Sequence, residues 1–121
     1  ARENAAKNGR GNIAIARLGS CEVSEAIAGT REFARLKEAG IDFDDYDLKT
    51  LFVDPPRAGM DPPTMKLAHC FPKIVYMSCG PESLAENLYQ LQATHDVTKI
   101  ACFDQFPYTK HVETGVLLQR R

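Results

Sequence analysis

One stretch, Lys73-Ile-Val-Tyr-Met-Ser-Cys-Gly-Pro-Glu-Ser-Leu84, constrains the fold of this chain more than any other. Its first half, Ile74 to Met77, is a short apolar run rich in β-formers and closed off by Pro72 and Gly80. Such a run suits a strand buried on both faces. Its second half opens a helix. Pro81 fits the first helical position, Glu82 and Glu86 favour the first turns, and Leu84, Leu88 and Leu91 recur at i, i+4, i+7. Cys79 falls at the junction, beyond the carboxyl end of a strand and beside the amino end of a helix, where negative charge is favoured. That is a nucleophile's position, although free cysteine is also among the most often buried residue types and a strand-to-helix turn can hold an inert one.

The chain on either side supplies the partners such a strand needs. Residues 1 to 8 read as the tail of a helix stopped by Asn8-Gly9. Gly9-Arg10-Gly11-Asn12-Ile13-Ala14 has the spacing of a dinucleotide fingerprint, but it follows a helix and precedes a strand, the reverse of what that motif requires. Asn12 to Leu18 alternates Ile13, Ile15 and Arg17 with small residues and predicts a strand, with Ser20 as N-cap of a helix through Ala26 or Ile27. Arg31 to Ala39 predicts another short helix. The aspartates at 42, 44, 45 and 47 lack the glycine and terminal glutamate of a calcium loop and read as a solvated acidic loop.

Leu48 to Val53 predicts a second buried strand, broken by Asp54-Pro55-Pro56-Arg57-Ala58-Gly59. Pro55 drives Asp54 into an extended conformation and Pro56 stiffens the exit, which holds the carboxylate at the strand's carboxyl end. A helix from about Pro63 to His69, the helix from Pro81 to Ala93, and strands at His95 to Phe103 and about Val112 to Gln119 complete the pattern. Asp104 to Lys110 reads as a loop carrying Phe106 and Tyr108. At a strand's period of two, His111 and Glu113 share a face. Strands alternating with helices predict an α/β domain with a largely parallel sheet, whose ligands lie outside the carboxyl ends of the strands. Asp54 and Cys79 both fall there.

Composition sets limits on partners. At 121 residues one core is expected, and no apolar run approaches the roughly 18 residues of a membrane span. Fifteen basic and sixteen acidic residues leave a net charge of −1, so any polyanion has to meet a local patch. Cys21, Cys70, Cys79 and Cys102 stand far apart with no Cys-x-x-Cys pair, which argues against zinc even with His69, His95 and His111 available. The helix-and-strand texture reads as that of an intracellular enzyme, with reduced cysteines and a cytoplasmic location.

Three motifs, Phe-Val-Asp-Pro-Pro-Arg-Ala-Gly at 52 to 59, Ser-Cys-Gly-Pro at 78 to 81 and Phe-Asp-Gln-Phe-Pro-Tyr-Thr-Lys-His-Val-Glu at 103 to 113, occur in an order that resembles the RNA 5-methyluridine methyltransferases. The likeness is greatest to the carboxyl-terminal part of the tRNA (uracil-5-) branch and also covers Gly29-Thr-Arg-Glu-Phe-Ala-Arg-Leu36. The resemblance implies the carboxyl-terminal part of a Rossmann-like methyltransferase domain, mostly parallel with an antiparallel last strand, a tRNA substrate and S-adenosylmethionine as methyl donor. It implies Cys79 as nucleophile, Glu113 as proton acceptor and Asp54 as a contact to the donor. By their chemistry Arg57, Phe106, Tyr108 and His111 are candidate contacts to RNA: the two aromatics can stack on a base or serve packing, Arg57 can meet phosphate or an acidic neighbour, and His111 reads more as an orienting or packed residue than as a ligand. The family usually has Asn after the motif cysteine, and Gly80 stands here.

The resemblance also implies a preceding RNA-binding part and two earlier sheet strands with the glycine-rich loop and acidic residue that hold the donor. Those two strands would lie between Asn12–Leu18 and Leu48–Val53, a gap of about 14 Å at roughly 4.8 Å per strand spacing. Residues 48 to 121 are therefore expected to keep the family's packing, and residues 1 to 40 to rearrange or dock on a second copy. The Leu48–Val53 strand is expected to become an apolar edge open to self-association. Two other readings fit parts of the pattern. An amino methyltransferase uses an Asp-Pro-Pro turn to accept from an exocyclic amine, but normally follows the prolines with an aromatic where Arg57 stands. An RNA-binding module of the same ancestry needs neither Cys79 nor Glu113.

Overall fold

The computed structural model describes residues 1–109 and 111–121. Lys110, the end of the expected loop, lies outside the described residues. The chain divides into two compact units, Ala1–Asp47 and Leu48–Arg121.

In the second unit the expected alternation forms a four-stranded sheet. β1 (Thr50–Val53), β2 (Lys73–Ser78), β3 (His95–Phe103) and β4 (Glu113–Arg120) lie in the order β1-β2-β4-β3. β1 and β2 are parallel, and β4 runs antiparallel to both β2 and β3. Three strands therefore point one way, and the last in sequence is inserted between the second and third. The helices α4 (Pro62–Ala68) and α5 (Pro81–Leu91) follow β1 and β2. α4 starts where Asp61 caps it, its Oδ1 accepting from the Thr64 N–H at 2.9 Å, with Pro62 in the first turn where no amide is needed.

Register explains which side chains are covered. Leu51, Ile74 and Leu118 stand opposite one another, as do Val53, Tyr76 and Val116, so they share one face. Ile74, Tyr76, Val116 and Leu118 are buried there with Met65 and Ala68 of α4 and Leu84 and Leu91 of α5. The opposite face carries Phe52, Val75, Leu117, Met77 and Gly115. Phe52 is 63% exposed, and no residue of this face belongs to the buried core. Burial of β2 on both faces, as expected from its apolar run, is thus realised on one. β3 is an edge strand with a bulge between Val97 and Lys99. The bulge brings Val97 and Ile100, three apart in sequence, onto one face, which accounts for apolar spacing that a period of two does not give.

A buried histidine closes the end of the sheet remote from Cys79. The His95 Nε2 lies 2.8 Å from the Phe71 carbonyl oxygen, which only accepts, so Nε2 carries the proton. The Nδ1 of His95 and that of His69 both lie 2.8 Å from the Thr94 hydroxyl. His95 is thus a structural element of β3.

The first unit holds α1 (Arg2–Lys7), α2 (Ser20–Ile27) and α3 (Ala34–Glu38). Gly9, at φ +64°, ends α1 as expected. The expected strand at Asn12–Leu18 does not form: these residues have no ladder partner. Side chains take the carbonyls that a neighbouring strand would have used. Arg2 Nη2 donates to the Ile15 carbonyl at 2.9 Å and Arg35 Nη1 to the Arg17 carbonyl at 2.9 Å. Gly19, and not Ser20, is the N-cap of α2, because Glu22 reaches back to accept from the Gly19 N–H at 2.8 Å. That bond, with Arg35 beside it, holds the Glu22 carboxyl below the usual carboxylate range. The expected helix at Arg31–Ala39 shortens to α3. The acidic loop is a 3-10 turn over Phe43–Asp45 in which Asp42 accepts from the Asp44 N–H, and its four aspartates are exposed.

Candidate active site

A cleft of about 370 Å³ opens at the carboxyl ends of β1, β2 and β3, lined by Asp54, Met77, Cys79, Phe103, Gln105 and Glu113. Its composition follows from the register. Glu113 is paired with Phe103, and Gly115 with both Met77 and Ala101. Side chains that share a face with Phe52 and Val75 therefore converge on one end of the sheet. Gly115 keeps the wall close: a Cβ there would stand 3.2 Å from Met77 Sδ and 3.4 Å from a ring carbon of Phe103. A glycine in the middle of a strand is the signal in the sequence for such an approach, and sequence reasoning missed it.

Cys79 is half-buried in the bend between β2 and the Gly80 N-cap of α5. The bend is fixed by its neighbours. The buried Ser78 hydroxyl accepts from the Gly80 N–H and donates to the Gly80 carbonyl, each at 3.1 Å, bracketing the cysteine. Asp54 is exposed, one residue beyond β1, and Glu113 is half-buried at the first position of β4. One thiol and two carboxylates thus share an open cleft with an apolar wall of Met77 and Phe103.

The loop between β1 and α4, which carries Asp54, is held from behind. Gly59 turns it at φ +87°, a conformation that disfavours other residues, and its N–H donates to the Pro56 carbonyl at 2.8 Å. Asn87 Oδ1 accepts from the Met60 N–H at 2.8 Å and from the Tyr76 hydroxyl at 2.7 Å. Burial pushes the Tyr76 phenol above its ordinary range, partly opposed by a hydrogen bond from the Met60 backbone. Ser83 donates to the Arg57 carbonyl at 2.7 Å. Polar groups on α5 with no part in the predicted chemistry therefore set the position of the loop that has one.

The four remaining candidates are not brought into the cleft. Arg57 is exposed and engages α5 through its backbone carbonyl. Phe106 and His111 meet edge to face at 6.3 Å, and Tyr108 is exposed at φ +67°, a left-handed conformation seldom adopted by aromatic residues. Among the described residues no group of three or more His, Cys, Asp or Glu side chains is placed to hold a metal ion, and all four cysteines are free. No helix among them is long and apolar enough to cross a membrane.

Comparison with known proteins gives the same picture of kinship along the whole chain. Residues 1–121 match the model of the tRNA (Uracil-5-)-methyltransferase family. The chain is 54% identical over 118 residues to a tRNA/tmRNA (uracil-C(5))-methyltransferase of Aromatoleum aromaticum, covering 98% of this chain and 32% of that protein. It is 56% identical over 117 residues to the protein of that name from Acinetobacter baumannii, covering 97% of this chain and 32% of the relative. The chain thus spans about one third of the length of these relatives. Among solved structures, the tRNA (uracil-54, C5)-methyltransferase of Pyrococcus abyssi, in complex with S-adenosyl-L-homocysteine, is similar with a TM-score of 0.53 and 31% identity over 69% of this chain and 24% of that one. A sheet with a single inverted strand, a cysteine and two carboxylates at its carboxyl end, and identity above half along nearly every residue lead to one conclusion: the chain belongs to the tRNA (Uracil-5-)-methyltransferase family.

Proposed function

We propose that residues 1–121 form part of the catalytic domain of a cytoplasmic enzyme that methylates C5 of a uridine in tRNA, with Cys79 as nucleophile, Glu113 as base and Asp54 as a contact to S-adenosylmethionine. The observation that carries this reading is the convergence of those three side chains, from three different strand ends, on one cleft. A carboxylate beside an apolar wall is a donor set that fits a sulfonium ligand, so the residues present are compatible with the methyl donor. Bound S-adenosylmethionine supplies an electrophilic methyl group on that sulfonium.

The residues of this chain do the rest. Uracil C5 is a poor nucleophile until the Cys79 sulfur, as thiolate, forms a bond to C6 and pushes the ring's electron pair towards an enolate that is nucleophilic at C5. Once C5 has taken the methyl group it still bears its hydrogen. Glu113 accepts that proton, the electron pair restores the C5–C6 double bond, and the carbon–sulfur bond breaks to return the cysteine as thiolate. The base has to leave its stack to reach Cys79, and Phe106, Tyr108 and His111 offer aromatic surfaces next to Glu113 in sequence for it or its neighbours, with Arg57 available to phosphate.

The test uses a full-length protein carrying this segment. Cys79→Ala should abolish both methylation and covalent trapping of RNA containing 5-fluorouracil, and Glu113→Gln should accumulate an RNA adduct whose base is already methylated. Wild-type rates in the Cys79 variant would end the proposal. In the isolated chain the same reading predicts no methylation, and self-association through the exposed edge of β1.

A further inference from the structure

We propose that Ser83 and Asn87, two polar residues one turn apart on α5, are positioning residues that set the affinity for the methyl donor by fixing the loop on which Asp54 stands; the proposal rests on the donor-binding reading of Asp54 given above. The loop leaves β1 at Val53 and enters α4 at Pro62, and two of its backbone groups are held by α5 between those ends. Ser83 takes the Arg57 carbonyl at 2.7 Å and Asn87 takes the Met60 N–H at 2.8 Å. The same Asn87 oxygen accepts from Tyr76 on β2 at 2.7 Å, which ties the loop to the central strand as well as to the helix.

The fit is close enough to exclude side chains at two points. A Cβ on Gly59 would stand 2.7 Å from Asn87 Oδ1, and one on Gly80 would stand 2.6 Å from the Arg57 carbonyl oxygen. Asn87 is 6% exposed and Tyr76 fully buried, so the bonds between them and to Met60 form away from water, where an unpaired donor costs most. Ser83 and Asn87 grip three and six residues after Asp54, and the two prolines at 55 and 56 make the intervening chain stiff. Displacement at the grip is therefore passed to the carboxylate rather than absorbed along the way. Neither side chain lines the cleft, so neither is expected to take part in bond making.

The experiment measures binding of S-adenosylhomocysteine by calorimetry, with donor KM, kcat and thermal midpoint, in a full-length protein carrying this segment. The variants are Ser83→Ala, Asn87→Leu, Asn87→Asp and Asp54→Asn. Loss of the Ser83 bond to the Arg57 carbonyl should weaken binding about 2- to 12-fold and raise donor KM in step, with kcat at saturating donor within about twofold of wild type. Asn87→Leu should weaken binding roughly tenfold or more. Asn87→Asp, whose carboxylate keeps an oxygen to accept from Met60 and Tyr76, should restore affinity to within about threefold of wild type. A purely structural role would lower the thermal midpoint and leave affinity in the folded protein untouched. Weakened binding in Asp54→Asn alongside unchanged binding in Ser83→Ala and in folded Asn87→Leu overturns the positioning role alone. Unchanged binding in Asp54→Asn overturns it by removing the reading beneath it. Should Asn87→Leu fail to fold, Ser83→Ala decides.

Discussion

Replacing Gly80 by alanine sets two effects of opposite sign against each other. The residue has φ −128° and ψ 95°, which alanine tolerates, so on backbone grounds the change should stabilise the protein by about 0.4–1 kcal/mol through a less flexible unfolded chain. Against that, the new Cβ would stand 2.6 Å from the Arg57 carbonyl oxygen and 2.9 Å from Ser83 Oγ. Ordinary contact begins at 3.4 Å, so the carbonyl has to retreat by 3.4 − 2.6 = 0.8 Å. The group that must move is backbone, joined to two prolines on one side and the Gly59 turn on the other. Overpacking of this kind costs about 1–3 kcal/mol, and stretching the 2.7 Å Ser83 bond beyond use adds about 0.5–1.5 kcal/mol. The clash wins, with a net loss of about 0.5–4 kcal/mol. Urea unfolding of wild type, Gly80→Ala, Ser83→Ala and the double variant measures both terms, because the hydrogen-bond part of the loss should vanish once Ser83 is already alanine. A Gly80→Ala protein as stable as wild type would refute the close approach.

Two other perturbations follow from the same geometry. The Tyr76 phenol has its pKa raised in the folded state by burial, so the folded protein retains a proton that the unfolded chain gives up near pH 10. The stability this contributes is fully present below about pH 10 and is lost as pH rises through the folded value. Tyr76→Phe should cost about 0.5–1.5 kcal/mol at pH 7 and flatten the alkaline fall in stability, and an unchanged alkaline slope in the variant would contradict it. His95→Leu leaves the Phe71 carbonyl without its 2.8 Å donor beside a side chain that is 1% exposed, so urea unfolding should show a loss of about 1–3 kcal/mol; an equally stable variant would deny His95 that role.

The parts of the site that were legible in the sequence are those fixed by local chemistry. Pro55 and Pro56 stop β1 immediately after Asp54, and Gly80-Pro81 turns β2 into α5 immediately after Cys79, so both side chains could be placed at strand ends without knowledge of the sheet. Residues joined by pairing were harder. The periodicity of Glu113 shows which neighbours share its face but not which strand lies opposite, and its place across from Phe103 depends on β4 being inserted between β2 and β3. The grip of α5 on the Asp54 loop was not legible, because Ser83 and Asn87 read as ordinary polar positions on an amphipathic helix until Arg57 and Met60 are seen opposite them. The burial of Asn87 at 6%, on the same helix as Leu84 and Leu91, is what separates it from solvent-facing neighbours.

Asn12–Leu18 failed for a different reason. Alternation of Ile13 and Ile15 with small residues reports that a segment is suited to a pleated surface, which is a statement about side chains. A strand, however, is a relation between backbones, and the donors and acceptors of residues 12 to 18 need a neighbour at about 4.8 Å. No ladder reaches these residues, and guanidinium groups from Arg2 and Arg35 bind the Ile15 and Arg17 carbonyls instead. A guanidinium donates but cannot accept, so it can satisfy one side of a strand's hydrogen bonding and never the amides. The β-forming pattern of 12 to 18 is therefore an unmet demand for pairing. By contrast the 48–121 segment forms its ladders from its own four strands and leaves only its edges open. The difference between the two halves lies in what each has available to pair with, and it is why propensity predicted β2 and β4 well and the segment after Gly11 badly.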